Sequence, residues 1–106
     1  MKNAVAGLAL LASACATPMH QVYVDLWGTE LSYRQTLSSS KGYELEACLE
    51  VRDLNHHSVA DGVTIVNKFA SSMLVPGYVL MLEGDFRLNL TQNGWILCNS
   101  YLYDKK

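Results

Sequence analysis

Proline is scarce in this sequence, two residues among 106, and so is any concentration of one charge: eight Lys and Arg stand against ten Asp and Glu. Half the residues are hydrophobic. That balance excludes a disordered, collagen-like or multidomain chain. A nucleic-acid binder needs a basic stripe, and the only adjacent cations are Lys105 and Lys106 in a chain of net charge −2. The three cysteines form no CxxC pair of the redox or zinc type. No nucleophile elbow, phosphate loop or dinucleotide fingerprint is present. No apolar run reaches the ~20 residues a membrane-spanning helix requires. One small domain without a catalytic signature remains.

The first informative segment is the N-terminus. Lys2 is followed by an uncharged apolar stretch from Ala4 to Leu11, then by small residues up to Ala16 and a break at Thr17-Pro18. This three-part layout predicts a secretory signal peptide. Ala14-Cys15-Ala16 offers a small-x-small cleavage site with a mature start at Thr17. The overlapping run Leu11-Ala12-Ser13-Ala14-Cys15 resembles the lipobox of bacterial lipoproteins, with Ala12 at the third position before the cysteine and Leu11 one residue further away. The resemblance covers about fifteen residues. It implies removal of residues 1–14, acylation of Cys15, and, because Ala16 and not Asp follows the cysteine, sorting to the outer membrane; without acylation the protein would be periplasmic or secreted.

The cysteine count agrees with that compartment. An odd number in an exported protein leaves one to explain, and acylation of Cys15 leaves the even pair Cys48 and Cys98. A bond between them closes a 50-residue separation (98 minus 48). Such a closure stabilises a fold by about 4 kcal/mol in the chain-entropy model. This matters in a 92-residue mature chain, which has one core and little margin. Its charge, without Lys2, is seven minus ten, or −3.

Hydrophobic period two dominates residues 21–106, which are expected to form a single β-rich domain behind a lipid-anchored tether, 15–20. Val22, Val24 and Leu26 alternate with polar or aromatic neighbours, and Leu31, Tyr33 and Leu37 follow after a turn at Gly28-Thr29, suggesting a hairpin. After the Ser38 to Gly42 loop, Tyr43, Leu45, Ala47, Leu49 and Val51 oppose Glu44, Glu46, Cys48, Glu50 and Arg52. Cys48 therefore lies on the charged side, and its bond would cross an outer face or an edge. Tyr78 to Glu83, Phe86 to Leu90 and Trp95 to Tyr103 complete the strands, with Gly84-Asp85 and Asn93-Gly94 as turns. Segment 58–75 is two-sided. Ser58 and Asp61 make a capping box before a stripe of Val59, Val63, Val66, Ala70 and Met73. Yet the β-branched run Val63-Thr64-Ile65-Val66 suits a sheet and tips the expectation to strand. The expected fold is mainly β, a small antiparallel sandwich or barrel of six to seven strands, or α+β with one helix near 58–75.

Few residues invite chemistry. His56 and His57 with Asp53 and Asp61 match no metal-ligand spacing and read as a solvated turn, so no metal or cofactor is expected. Glu44, Glu46 and Glu50 share a polar strand face, where all would stay ionised and none would serve as a general acid. The ten aromatics lack interleaved cations and read as core. The run from Met73 to Leu82 is almost wholly apolar around Pro76-Gly77. Its second half reads as a strand buried on both sides, and its turn as an exposed patch of Met73, Leu74, Val75 and Tyr78 that fits a partner or lipid. The five residues from Ala16 to His20 reach at most about 18 Å, so an acylated domain would sit close to its membrane.

These features point to a non-catalytic envelope lipoprotein that binds a membrane-resident protein and blocks or modulates it, as lipoproteins that exclude phage or plasmid entry do. An inhibitor of an incoming lysozyme or protease is the alternative, with Ser38 to Gly42 or Asn55 to Ser58 as the inserted loop. A small hydrolase or metal carrier using His56 and His57 ranks third.

Overall fold

A computed structural model describes residues 19–26, 28–37, 42–53 and 55–106. The expected signal peptide, Cys15 and most of the tether lie outside the described residues, as does the loop 38–41. The elements are β1 (His20–Val24), β2 (Glu30–Leu37), β3 (Tyr43–Val51), α1 (Val59–Ser72), β4 (Tyr78–Glu83), β5 (Arg87–Leu90) and β6 (Trp95–Lys105). Among the described residues the fold is mainly β with one helix, as its alternating pattern requires. All six strands join one antiparallel sheet in the order β1-β2-β3-β6-β4, with β5 also paired to β6.

β3 and β6 form the centre. Tyr43, Leu45, Ala47, Leu49 and Val51 alternate with outward-facing residues, and Trp95, Leu97, Asn99, Tyr101 and Tyr103 do the same across the ladder. These inward residues, with Val66 and Ala70 of α1, make the core. The period-two pattern places them on one face because successive side chains on a strand point to opposite sides. The other face carries Cys48 and Cys98 directly opposite one another, joined by a disulfide with Cα atoms 4.1 Å apart. The bond therefore staples the two central strands from outside the core, as the position of Cys48 among glutamates implies.

Segment 58–75 is a helix, and the strand expectation over Val63–Val66 is corrected. The Ser58 hydroxyl caps the helix by accepting from Asp61 N at 3.1 Å. Gly62, Val66 and Ala70, spaced by four, lie buried against the sheet. β-Branching costs a helix at most ~0.7 kcal/mol per residue, whereas burying one valine contributes ~1.5–3 kcal/mol. Packing of the stripe outweighs local preference.

The width of that helix determines what stays exposed. A helix of ~10 Å diameter covers about two strands spaced ~4.8 Å apart, and α1 packs on β3 and β6. β4 lies beyond its reach. Val79, Leu80, Met81 and Leu82 are 40 to 63 % exposed, so the expectation of a strand buried on both sides is overturned. β1 is the opposite edge, with Val22 and Val24 about half exposed and Leu26 94 % exposed. Alternation there does not mark a buried face, because no layer among the described residues covers it.

β4 and β5 act as one bent edge strand along β6. Their registers shift at Leu80/Leu82 and again across residues 84–86, while Gly84 N still donates to Ser100 O at 2.8 Å. The return turn uses Gly94 because a Cβ there would meet Val51 O at 1.7 Å.

A Cβ at Gly62 would lie 2.6 Å from the Trp95 ring. Alanine gains ~1 kcal/mol of helix propensity over glycine, but overpacking costs ~1–3 kcal/mol. Gly62→Ala is expected to lower the urea midpoint despite the better helix former; a raised midpoint would show that α1 stands off the sheet.

Candidate functional site

The apolar turn after α1 is built by a chain of short constraints. Met73 N donates to Phe69 O and Ala70 O, each at 3.2 Å, ending the helix. Val75-Pro76-Gly77-Tyr78 then reverses the chain, with Tyr78 N donating to Val75 O at 3.1 Å and Gly77 at φ +90°. Proline followed by a positive-φ glycine is the type II arrangement. Val75 N also donates to the Tyr43 hydroxyl at 3.2 Å, fastening the turn to the end of β3. Beneath it the Tyr43 ring packs against Tyr78 and Tyr103, with centroids 5.1 and 5.0 Å away. The Tyr103 hydroxyl donates to Ala70 O at 3.0 Å.

The structure brings the four sequence-predicted contact residues to one end of the sheet but exposes them unequally. Leu74 and Val75 are about two-fifths exposed, while Met73 and Tyr78 are half-buried and pack against the core. Leu37 at the end of β2, 84 % exposed, joins them. An open groove of about 340 Å³ runs between Gln35, Leu37, Tyr43, Val75 and Tyr78. Sequence reasoning missed Leu37 as a surface residue because it continued the apolar alternation of β2. Along the β4–β5 edge the exposed apolar residues divide between the two faces: Leu80, Leu88 and Leu90 pair with Tyr103, Leu97 and Trp95 on the helix side, and Val79 and Leu82 pair with Asp104 and Leu102 on the polar side.

The polar face is organised by arginines. Glu46 Oε1 accepts from Arg34 at 2.8 Å and Glu46 Oε2 from Arg87 at 2.9 Å, so one carboxylate on β3 links β2 and β5 across the disulfide. Arg52 approaches Glu30 at 3.5 Å and Glu50 at 3.6 Å. Glu46 also lies close to both cysteine sulfurs, the one group of potential metal donors found among the described residues. Those sulfurs are bonded to each other and have no thiolate to offer a metal.

The histidines diverge. His56 Nδ1 faces Asp53 at 3.0 Å, and His57 Nε2 faces Asp25 at 3.5 Å. Asp61 instead belongs to the helix cap. Asn55 to Ser58 forms a largely exposed turn in which Asn55 N donates to Asp53 Oδ1, His56 N to Asp53 O, and Ser58 O accepts from Gly62 N. Comparison with protein-family models, curated proteins and solved structures finds no match for this chain.

Burial pushes the hydroxyls of Tyr101 and Tyr103 above the usual tyrosine range. For Tyr103 it does so up to about 12, with Tyr43, Tyr101 and Glu83 adding repulsion. A hydrogen bond with Asn99 partly offsets the rise at Tyr101. A folded-state value above the unfolded value of 10 gives stability that is complete below pH 10 and is lost as pH rises towards 12. Urea midpoints should therefore fall across that window. Tyr103→Phe is expected to flatten the fall while lowering the neutral-pH midpoint through loss of the bond to Ala70; an unchanged alkaline slope would contradict the assignment.

Proposed function

We propose that this protein is a non-catalytic lipoprotein of the bacterial envelope, acylated at Cys15, which binds a neighbouring membrane protein and blocks or modulates it in an exclusion-type role. The observation that carries this reading is the apolar edge. Leu80, Leu88 and Leu90 share the helix-side face of the β4–β5 edge, and Val79, Met81 and Leu82 make the rest of β4 apolar as well. Natural edge strands are usually guarded by charge, proline or covering loops, and a contiguous apolar patch on a monomer commonly marks an interaction surface. This edge has a bulge at its middle, which limits pairing with arbitrary strands, and no charge until Glu83. The turn carrying Met73, Leu74, Val75 and Tyr78 leads into this edge and forms a second arm of the apolar surface.

The chemistry of the remaining surface supports a binding role. The carboxylates at the centre of the polar face are engaged by arginines, and the histidines face separate carboxylates. A domain placed by a short tether beside its membrane needs only a durable surface to occupy a neighbour.

Intact mass of the purified protein, with and without reductant, tests the anchor: the expected product starts at Cys15, carries acyl mass and gains two protons on reduction. A product retaining Met1, without acyl mass and with free thiols, would overturn the reading. A photo-crosslinker at Leu80 in cells is expected to capture one outer-membrane protein. Leu82→Arg together with Leu88→Arg should abolish that adduct and leave the thermal midpoint within about 2 °C, as solvent-exposed substitutions do. Persistence of the adduct in the double variant would move the partner elsewhere.

A further inference from the structure

The strand registers bring three separate features to one end of the sheet. His20, where the chain enters from the tether, pairs with Tyr33; Leu37 pairs with Tyr43; Tyr43 pairs with Tyr103; and Lys105 pairs with Tyr78. The chain entry, the exposed apolar residues Leu37, Leu74 and Val75, and the paired cations Lys105 and Lys106 thus face the same direction. Lys106 N donates to Gly77 O at 3.0 Å, which places the lysine pair against the apolar turn itself.

We infer that this end of the sheet is a lipid-contacting face, seated on anionic phospholipid with Leu37, Leu74 and Val75 at the headgroup boundary and Lys105 and Lys106 beside the phosphates. The inference rests on the envelope-lipoprotein reading for the position of the anchor, and it names the occupant of one arm of that apolar surface. The β4–β5 edge remains for the protein partner.

Chain length supplies the first argument. Leu37 lies four residues beyond Tyr33, about 13 Å along the strand. Cys15 lies five residues before His20, a reach of at most about 18 Å. The backbone of Cys15 can therefore stand at most about 5 Å past the level of Leu37, with any acyl chains starting from there. With the tether fully extended, the bilayer surface still meets this end of the domain.

Charge and polarity supply the second. Both lysines are exposed, and neither has an ion-pair partner among the described residues. Asp104 and Glu44 also lie at this end, but the sheet alternation places them on the polar face, away from the groove. In a chain of net charge −2, a cation pair beside exposed leucines orients the molecule on an anionic surface. Tyr78, half-buried with an apolar ring and a polar tip, suits the interfacial level. The opposite end has a different character: Arg52, Asp53, Asn55, Gln92 and Asn93 line a polar hollow there. Leu26 and Leu90 are exposed at that end but belong to opposite edges of the sheet, so they do not make one patch.

The test uses the exported Cys15→Ser chain after signal removal, so that no acyl group contributes. It is sedimented with phosphatidylcholine vesicles with and without phosphatidylglycerol. Binding is expected only with phosphatidylglycerol. It should weaken by roughly tenfold or more in Leu74→Glu/Val75→Glu and in Lys105→Glu/Lys106→Glu, and stay unchanged in Leu82→Arg. Each variant is first shown to keep its disulfide and a cooperative unfolding transition. No binding, equal binding to both vesicle types, or binding indifferent to either pair of substitutions would overturn the inference. So would a photo-crosslinker at Leu74 that captures protein and no lipid in the membrane-bound chain. Acyl-free mass combined with the expected vesicle pattern would instead remove the anchor and leave the lipid face standing.

Discussion

The structure depends on one packing constraint: a single helix lies across a six-stranded sheet. Gly62 lets α1 approach Trp95, and Val66 and Ala70 then settle onto the β3–β6 pair. Two strands are what such a helix can cover. The central pair consequently contains nearly all of the core, and each step outwards in the sheet loses protection. The apolar edges follow from the same geometry, because among the described residues no second layer reaches them. That surplus of apolar surface at β4 and β5 is the physical basis for assigning a binding role.

The uncovered face is stabilised by different means. There the cross-strand disulfide and the Glu46 carboxylate, gripped by Arg34 and Arg87, join β2, β3, β6 and β5. Exposed ion pairs of this kind contribute little singly, commonly below ~1 kcal/mol, and the covalent link has the larger effect. The end of the molecule is tied by the tyrosines. Tyr43 holds the turn through Val75 N, and Tyr103 holds the last turn of α1 through Ala70 O. The exposed leucine and valine of the turn therefore stand on a rigid base, which suits a surface meant to meet a partner without reordering.

Much of this architecture was legible in the amino-acid pattern, and the exceptions share a cause. β3 and β6 announce themselves because their alternation is regular and both strands have a covered and an uncovered side. Val63 to Val66 reads as strand locally and folds as helix, because the decisive term is burial of residues spaced by four against a surface that the segment itself does not encode. Tyr78 to Glu83 reads as doubly buried because it is apolar throughout, yet apolarity states a preference and not whether a neighbour exists to satisfy it. In the candidate site, the Pro76-Gly77 turn could be found from sequence. Leu37 and Lys105 could not, since their placement beside that turn depends on the pairing of Tyr43 with Tyr103 across 60 positions and of Tyr78 with Lys105 across 27. Arg87 likewise meets Glu46 across 41 residues.

The placement of the disulfide has an implication for what proteolysis does to the chain. Every residue of α1, β4 and β5, together with the exposed Pro76-Gly77 bend, lies between Cys48 and Cys98. A single peptide-bond cut anywhere in that interval yields two fragments still joined by sulfur, each carrying one central strand already zipped to the other. Because the fragments stay covalently joined, such a nick would show itself only on a reducing gel.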